Sequence, residues 1–202
     1  MNKTKIEWCD NTWNPVTGCL HNCSYCYAKR IAMRFDGHFK PTFHPERLNE
    51  KMPKKPSKIF VCSMADLFGD WVPKEWIEKI IEVARNNPQH TFQFLTKNPK
   101  RYLEFEFSSN CWLGTTIDYI NQARLNYLKQ KNNYKFISFE PLLEDMSALD
   151  LSGIDLVIIG ADSSKGANTP RIEWIDSIIH PNIFYKNNIK KYINENLLKI
   201  YD

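Results

Sequence analysis

Cys19, Cys23 and Cys26 stand at a C-x3-C-x2-C spacing within Gly18-Cys19-Leu20-His21-Asn22-Cys23-Ser24-Tyr25-Cys26-Tyr27. Thiolates are soft metal ligands, and this spacing lets three of them converge from one loop. A structural zinc site closes with four ligands, as does a four-thiolate iron–sulfur centre that only carries electrons. Three ligands therefore leave a position open for a substrate or cofactor. The competing reading is a zinc knuckle completed by His21 or Cys9.

A second group of residues is set apart by position. Apolar, strand-like runs each stop at polar residues: Ile59–Cys62 at Ser63 to Asp66, Phe92–Leu95 at Thr96-Lys97, and Trp112–Gly114 at Thr115-Thr116. Further on, Phe136–Phe139 stops at Glu140, Val157–Gly160 at Ala161-Asp162-Ser163, and Phe184-Tyr185 at Lys186. Ser, Thr and Asp in such places are often caps of the next helix, which accounts for Ser63, Thr96, Asp118 and Asp162. Lys97, Glu140 and Lys186 cap helix N-termini poorly, and a charge at the end of an apolar strand is costly unless something binds it. These three are the candidate catalytic residues, with a Lys97–Glu140 ion pair as the structural alternative.

The elements that must position these groups alternate. Asn11–Thr17 reads as a first strand, with Gly18 turning into the cysteine loop and a helix over Tyr27–Arg34. A long polar connection, Asp36–Ser57, reads as a solvated loop or a lid. Strands are predicted at Lys58–Cys62, Thr91–Leu95, Cys111–Gly114, Lys135–Phe139, Leu156–Ile159 and Asn182–Tyr185. Between and after them come helices opened by Val72-Pro73, by Asn98-Pro99 and by Asp118, then Ile172–Ile179 and a closing amphipathic helix over Ile189–Leu198. Such alternation predicts parallel βαβ units, all of whose strand exits share one rim. Six or seven units in 202 residues fall short of a closed eightfold barrel of about 250 residues, so the expected fold is an open, partial TIM-type α/β barrel forming a single domain over residues 1–202.

Composition narrows the function little. The hydrophobic fraction is 43% and the formal charge +4, a mild excess that permits a nucleic-acid or phosphate-bearing substrate without arguing for one. No run is apolar and long enough to span a bilayer, and Met1–Lys5 leads into no apolar leader, so a cytoplasmic location with reduced thiols is the default expectation. Cys62 and Cys111 sit inside apolar runs and read as small buried hydrophobes.

The ordered motifs Ile6-Glu7-Trp8, Thr12 to Cys19, Cys26-Tyr27-Ala28, Ser63 to Phe68, Leu95-Thr96-Lys97, Trp112-Leu113-Gly114 and Ser138 to Leu142 resemble those of an uncharacterised, phage-associated radical S-adenosylmethionine (SAM)-like family. That family is distantly related to spore photoproduct lyase. The resemblance implies a [4Fe-4S] cluster on Cys19, Cys23 and Cys26 whose fourth iron binds SAM, with reductive SAM cleavage releasing a 5′-deoxyadenosyl radical. It further implies Tyr25 beside the adenine, Ser63 and Asp66 near the amino group of SAM, and Thr115 and Glu140 facing ribose or substrate. An external one-electron donor of flavodoxin or ferredoxin type is implied, and a nucleic-acid base or a protein side chain as substrate. Two departures from the family pattern stand out. The spacing between the first two cysteines is compact, and Gly160-Ala161-Asp162 replaces a Gly-Gly-Glu, leaving the acid at Asp162 one methylene shorter. The alternative function is a non-catalytic metal-binding module, holding zinc or an iron–sulfur cluster, that recognises nucleic acid or a phage or host protein.

Overall fold

The computed structural model describes residues 1–164, 166–167, 169–190 and 192–193. In chain order the strands are β1 (Asn2–Lys3), β2 (Asn11–Trp13), β3 (Val16–Thr17), β4 (Thr42–Phe43), β5 (Lys58–Val61), β6 (Thr91–Thr96), β7 (Cys111–Thr116), β8 (Lys135–Phe139), β9 (Leu156–Ile159) and β10 (Ile183–Tyr185). The helices are α1 (Tyr27–Phe35), α2 (Lys74–Arg85), α3 (Gln122–Lys129), α4 (Ile172–Asp176) and α5 (Asn187–Lys190). Strands β2, β5, β6, β7, β8, β9 and β10 lie side by side in that order and all parallel, with β1 antiparallel on the outer edge of β2. Parallel neighbours in sequence order are the connectivity of a βα barrel. Among the described residues no ladder joins β10 back to β1, so the barrel is open, as expected.

Strand periodicity sorts side chains between two cores. On the outer face Ile59, Val61, Phe92, Phe94, Leu113, Ile137, Phe139, Val157 and Ile159 pack with α2 and α3. From α2 come Ile77, Ile80, Ile81 and Ala84, a stripe at helical spacing that is buried throughout. Each fully buried side chain of this kind contributes about 1.5–3 kcal/mol. In the lumen, Phe60, Phe136 and Ile158 surround Trp8, whose ring centroid lies 4.6 Å from that of Phe60 and 5.9 Å from that of Phe136. Gln93 Nε2 donates to the Trp8 carbonyl at 3.3 Å, so the segment between β1 and β2 plugs the lumen. Gly114 leaves room for this arrangement, because a Cβ there would lie 2.5 Å from the Phe136 ring.

Several local expectations are corrected. The first strand breaks at Pro15, which lacks a donor for the ladder: β2 stays in the barrel, whereas β3 leaves it to pair with β4. Asn98-Pro99 opens a short 3-10 turn, Pro99–Glu104, not an α-helix. Asn121 caps α3 by accepting from the Arg124 amide at 3.2 Å, which frees Asp118 for other work. Helix α4 ends at Asp176, short of Ile179. Of the expected closing helix, Ile189 and Lys190 belong to α5, Tyr192 and Ile193 are turn and bend, and residues 191 and 194–198 lie outside the described ones.

The Asp36–Ser57 connection is neither lid nor free loop. It lies as a strap beneath the cysteine loop. Arg47 accepts from Trp13 Nε1 through its carbonyl and donates from Nη1 to the Asn14 carbonyl, both at 2.9 Å. His44 Nε2 meets Thr17 Oγ1 at 2.8 Å, and Phe43 stacks on Trp76 with centroids 5.1 Å apart. Its many Lys and Pro residues hid these few anchors.

Candidate active site

Gly18 begins the site. Its φ of +87° favours glycine, and a Cβ would fall 2.1 Å from the Lys40 carbonyl of the strap. Its amide donates to the Met64 carbonyl at 2.9 Å, stitching the cysteine loop to the exit of β5. Asn22, at φ 54°, turns the loop back, a conformation asparagine tolerates. Cys26 then caps α1, its Sγ accepting from the Lys29 amide at 3.3 Å, while Cys19 Sγ accepts from the His21 amide at 3.5 Å. Amide donors aimed at sulfur, one of them at a helix N-terminus, favour thiolate over thiol. Against them burial pushes the Cys19 thiol up to about 12, so without a cation it stays protonated.

All three cysteines line one cavity of about 490 Å³, and the strand exits line its other walls. Tyr25, Ser63, Asp66, Lys97, Glu140, Asp162 and Lys186 are all on that wall. The structure brings these residues together around one space. Thr115 is the exception: it is fully buried with its hydroxyl donating to the Thr96 carbonyl at 2.8 Å, and Thr116 lines the cavity instead. The alternation on β7 sends Gly114 and Thr116 inward and Thr115 outward.

Charge around the cavity is heavily paired. Asp66, buried at the β5 exit, accepts at Oδ1 from the Phe68 amide (3.1 Å) and Thr96 Oγ1 (2.6 Å), and at Oδ2 from His21 Nε2 (2.7 Å) and the Lys97 amide (2.9 Å). A carboxylate offers about four acceptor sites, so this one is filled by the protein. The Lys97 ammonium sits 5.0 Å over the Tyr25 ring and donates both to the Tyr25 hydroxyl and to Asp118 Oδ2. Tyr25 donates to the same oxygen at 2.9 Å, and Arg124 Nη1 holds Asp118 Oδ1 at 3.1 Å. Burial pushes the Asp118 carboxyl up, but Lys97 and Tyr25 outweigh it and hold it down at about 2.

The Lys97–Glu140 pair, the structural alternative to a catalytic role, does not form: Lys97 goes to Asp118, and Glu140 pairs with Lys186. Gly160 makes that second pair possible, since a Cβ there would meet Lys186 Cδ at 2.9 Å and Glu140 Cγ at 3.1 Å. Ser63 Oγ donates to Asn14 Oδ1 at 3.1 Å, and Asp162 Oδ1 accepts from the Ser164 amide at 2.7 Å. None of Ser63, Thr96, Asp118 and Asp162 caps a described helix. Cys9 lies in the lumen core and does not line the cavity.

A family profile described as protein of unknown function DUF5131 matches residues 3–183. The chain belongs to this family. Among curated proteins, none matches this DUF5131 chain. Its fold is similar to solved structures of spore photoproduct lyase. One, a mutant with bound AdoMet and dinucleoside spore photoproduct, has a TM-score of 0.59 and 13% identity over 80% of this chain and 58% of the other. A second mutant, with dinucleoside spore photoproduct, has a TM-score of 0.58 and 14% identity over the same shares. The chain therefore spans less than two thirds of those chains, and at such identity the likeness is one of fold: an open α/β barrel.

The donor set a cluster would use here is the three cysteine thiols. Among the described residues no three His, Cys, Asp or Glu side chains converge closely enough to hold one metal ion. Ligands of one zinc sit about 2.3 Å from it, whereas a cubane spreads three thiolates over three different irons. The three thiols are free and line one cavity, and amide donors reach two of the sulfurs, which is the donor chemistry a cluster needs. Thr116 lines the cavity without having been singled out in the sequence, although strict alternation on β7 marks it; His21, read there as a possible zinc ligand, and Asp118, read as a helix cap, instead brace the wall from within or behind it.

Proposed function

We propose that the protein is a radical SAM enzyme, with Cys19, Cys23 and Cys26 holding a [4Fe-4S] cluster and SAM bound in the adjoining cavity. The observation that carries this reading is the shared cavity: one loop's three thiols and the exits of six parallel strands face the same space of about 490 Å³. That volume suits a nucleotide-sized ligand together with part of a substrate. When bound, the cluster and SAM supply a one-electron cleavage of the sulfonium C–S bond and so a 5′-deoxyadenosyl radical able to abstract hydrogen.

The chain's own residues bind, orient and exclude water. Trp8, Phe60 and Leu95 give the cavity an apolar floor. Tyr25, braced by Lys97 and Asp118, presents a fixed ring face beside the cysteines for the adenine. Ser63 offers polar contact to SAM at the β5 exit, and Asp162 and Thr116 line the walls beyond it. Glu140 and Lys186 present one acid and one base to the substrate side of the cavity. Asp66, like Thr115, is a predicted contact reassigned here, because its acceptors are already filled.

The substrate is a nucleic-acid base or a protein side chain. The neighbouring fold with a bound dinucleoside supports the first. An external one-electron donor completes the scheme, and α1 suits an acidic carrier: it exposes Ile31, Met33 and Phe35, carries Lys29, Arg30 and Arg34, and no carboxylate lies between Leu20 and Phe35. Among the described residues no helix is long and apolar enough to cross a membrane. The test is anaerobic reconstitution with iron and sulfide, followed by dithionite and SAM. Brown protein that forms 5′-deoxyadenosine supports the reading; colourless protein with one zinc per chain refutes it in favour of a binding module.

A further inference from the structure

We infer that His21 is a positioning residue that latches the cysteine loop to the barrel through Asp66, shaping the loop before any metal arrives. This rests on the reading of the loop as a cluster holder. His21 lies between the first two cysteines, and its Nε2 meets Asp66 Oδ2 at 2.7 Å. The ring also packs edge-on against Trp71, with centroids 4.8 Å apart. Trp71 in turn lies flush against Gly69, where a Cβ would fall 2.2 Å from the indole.

Asp66 is a fixed post. It is 6% exposed and is pinned by the Phe68 amide on its own turn and by Thr96 and Lys97 at the neighbouring strand exit. One carboxylate thus ties together the exits of β5 and β6 and the first half of the cysteine loop. Tyr25, through Asp118 and Lys97, does the same for the second half. A loop held at both halves has lost most of its conformational freedom on folding, so a metal centre need not supply the ordering free energy on binding. The carboxylate occupies Nε2 of the imidazole. Among the described residues His21 belongs to no group able to hold a single ion.

The experiment compares wild-type protein with His21→Ala and His21→Gln, the latter keeping a side-chain N–H donor. Three quantities are read: amide hydrogen exchange across residues 19–26 in metal-free protein, the rate at which reconstituted iron is lost to a chelator, and the thermal midpoint. Losing one charge-assisted hydrogen bond predicts exchange and iron loss about tenfold faster in His21→Ala, with the midpoint moved by less than about 5 °C. His21→Gln should restore much of both. Unchanged loop exchange and iron retention in His21→Ala would overturn the latch. So would iron loss in both variants with loop exchange unchanged, which is the behaviour of a ligand. If wild-type protein assembles no cluster, the proposed function fails, while the exchange comparison still decides the latch.

Discussion

On the flank of the rim nearest the cysteines, Asp66 accepts from His21, Phe68, Thr96 and Lys97, and Asp118 from Tyr25, Lys97 and Arg124. On the opposite flank, over β8 to β10, Glu140 meets Lys186, and Asp162 accepts from the Ser164 amide. Both flanks are cut from the same material, a polar residue at the end of an apolar strand. The first consumes its charges internally and becomes rigid, as preorganisation of a metal-binding loop requires. The second leaves the carboxylates of Glu140 and Asp162 with fewer protein partners beside the cavity. Four carboxylates at comparable rim positions thus differ in how fully the protein itself occupies them.

The sharpest break of this contrast is removal of a thiol. Cys23→Ser should abolish iron retention and all SAM-derived nucleoside, measured by iron content and chromatography, with little change in the far-ultraviolet circular dichroism spectrum. Next comes Asp66→Ala. It strands four donors in a buried place and should cost about 3 kcal/mol or more, read as a lowered urea midpoint. The corresponding truncation on the open flank, Glu140→Ala, should cost about 1 kcal/mol, since its side chain is 29% exposed, and should act on substrate turnover instead.

Asp118 gives a pH test of the rigid flank. Its folded pKa of about 2 lies below the ordinary 3.8, so the stability it contributes is present above pH 3.8 and is lost as pH falls through about 2. Asp118→Asn should remove about 2 kcal/mol at neutral pH and flatten that part of the acid-unfolding profile. An unaltered acid limb would show that Lys97 and Tyr25 do not depend on Asp118. The smallest effect expected on stability, within about 0.5 kcal/mol, is that of Arg34→Glu on the exposed face of α1. It should weaken reduction by an acidic carrier about tenfold while leaving dithionite-driven cleavage unchanged.

The open flank was the more legible of the two in the sequence. Glu140 and Lys186 are charged residues directly after apolar runs, a signal needing no knowledge of partners. The cysteine loop was legible for a similar reason, because ligand spacing is local. The wiring of the rigid flank was not: His21–Asp66 and Lys97–Asp118 join residues 45 and 21 positions apart, and Asp118 looks like a helix cap until Asn121 is seen to cap α3. Position after an apolar run does not tell Thr115 from Thr116; only the alternation through Gly114 turns the first outward and the second into the cavity. The strap was misread because its anchoring groups, Arg47, His44 and Phe43, are few among many lysines and prolines.

The most direct measurement is the electronic and magnetic spectrum of anaerobically reconstituted protein, before and after dithionite, with and without SAM. The account predicts about four irons per chain, a broad visible absorption that bleaches on reduction, and a paramagnetic signal that SAM perturbs. A colourless chain carrying a single zinc, or a cluster whose signal is indifferent to SAM, would contradict it.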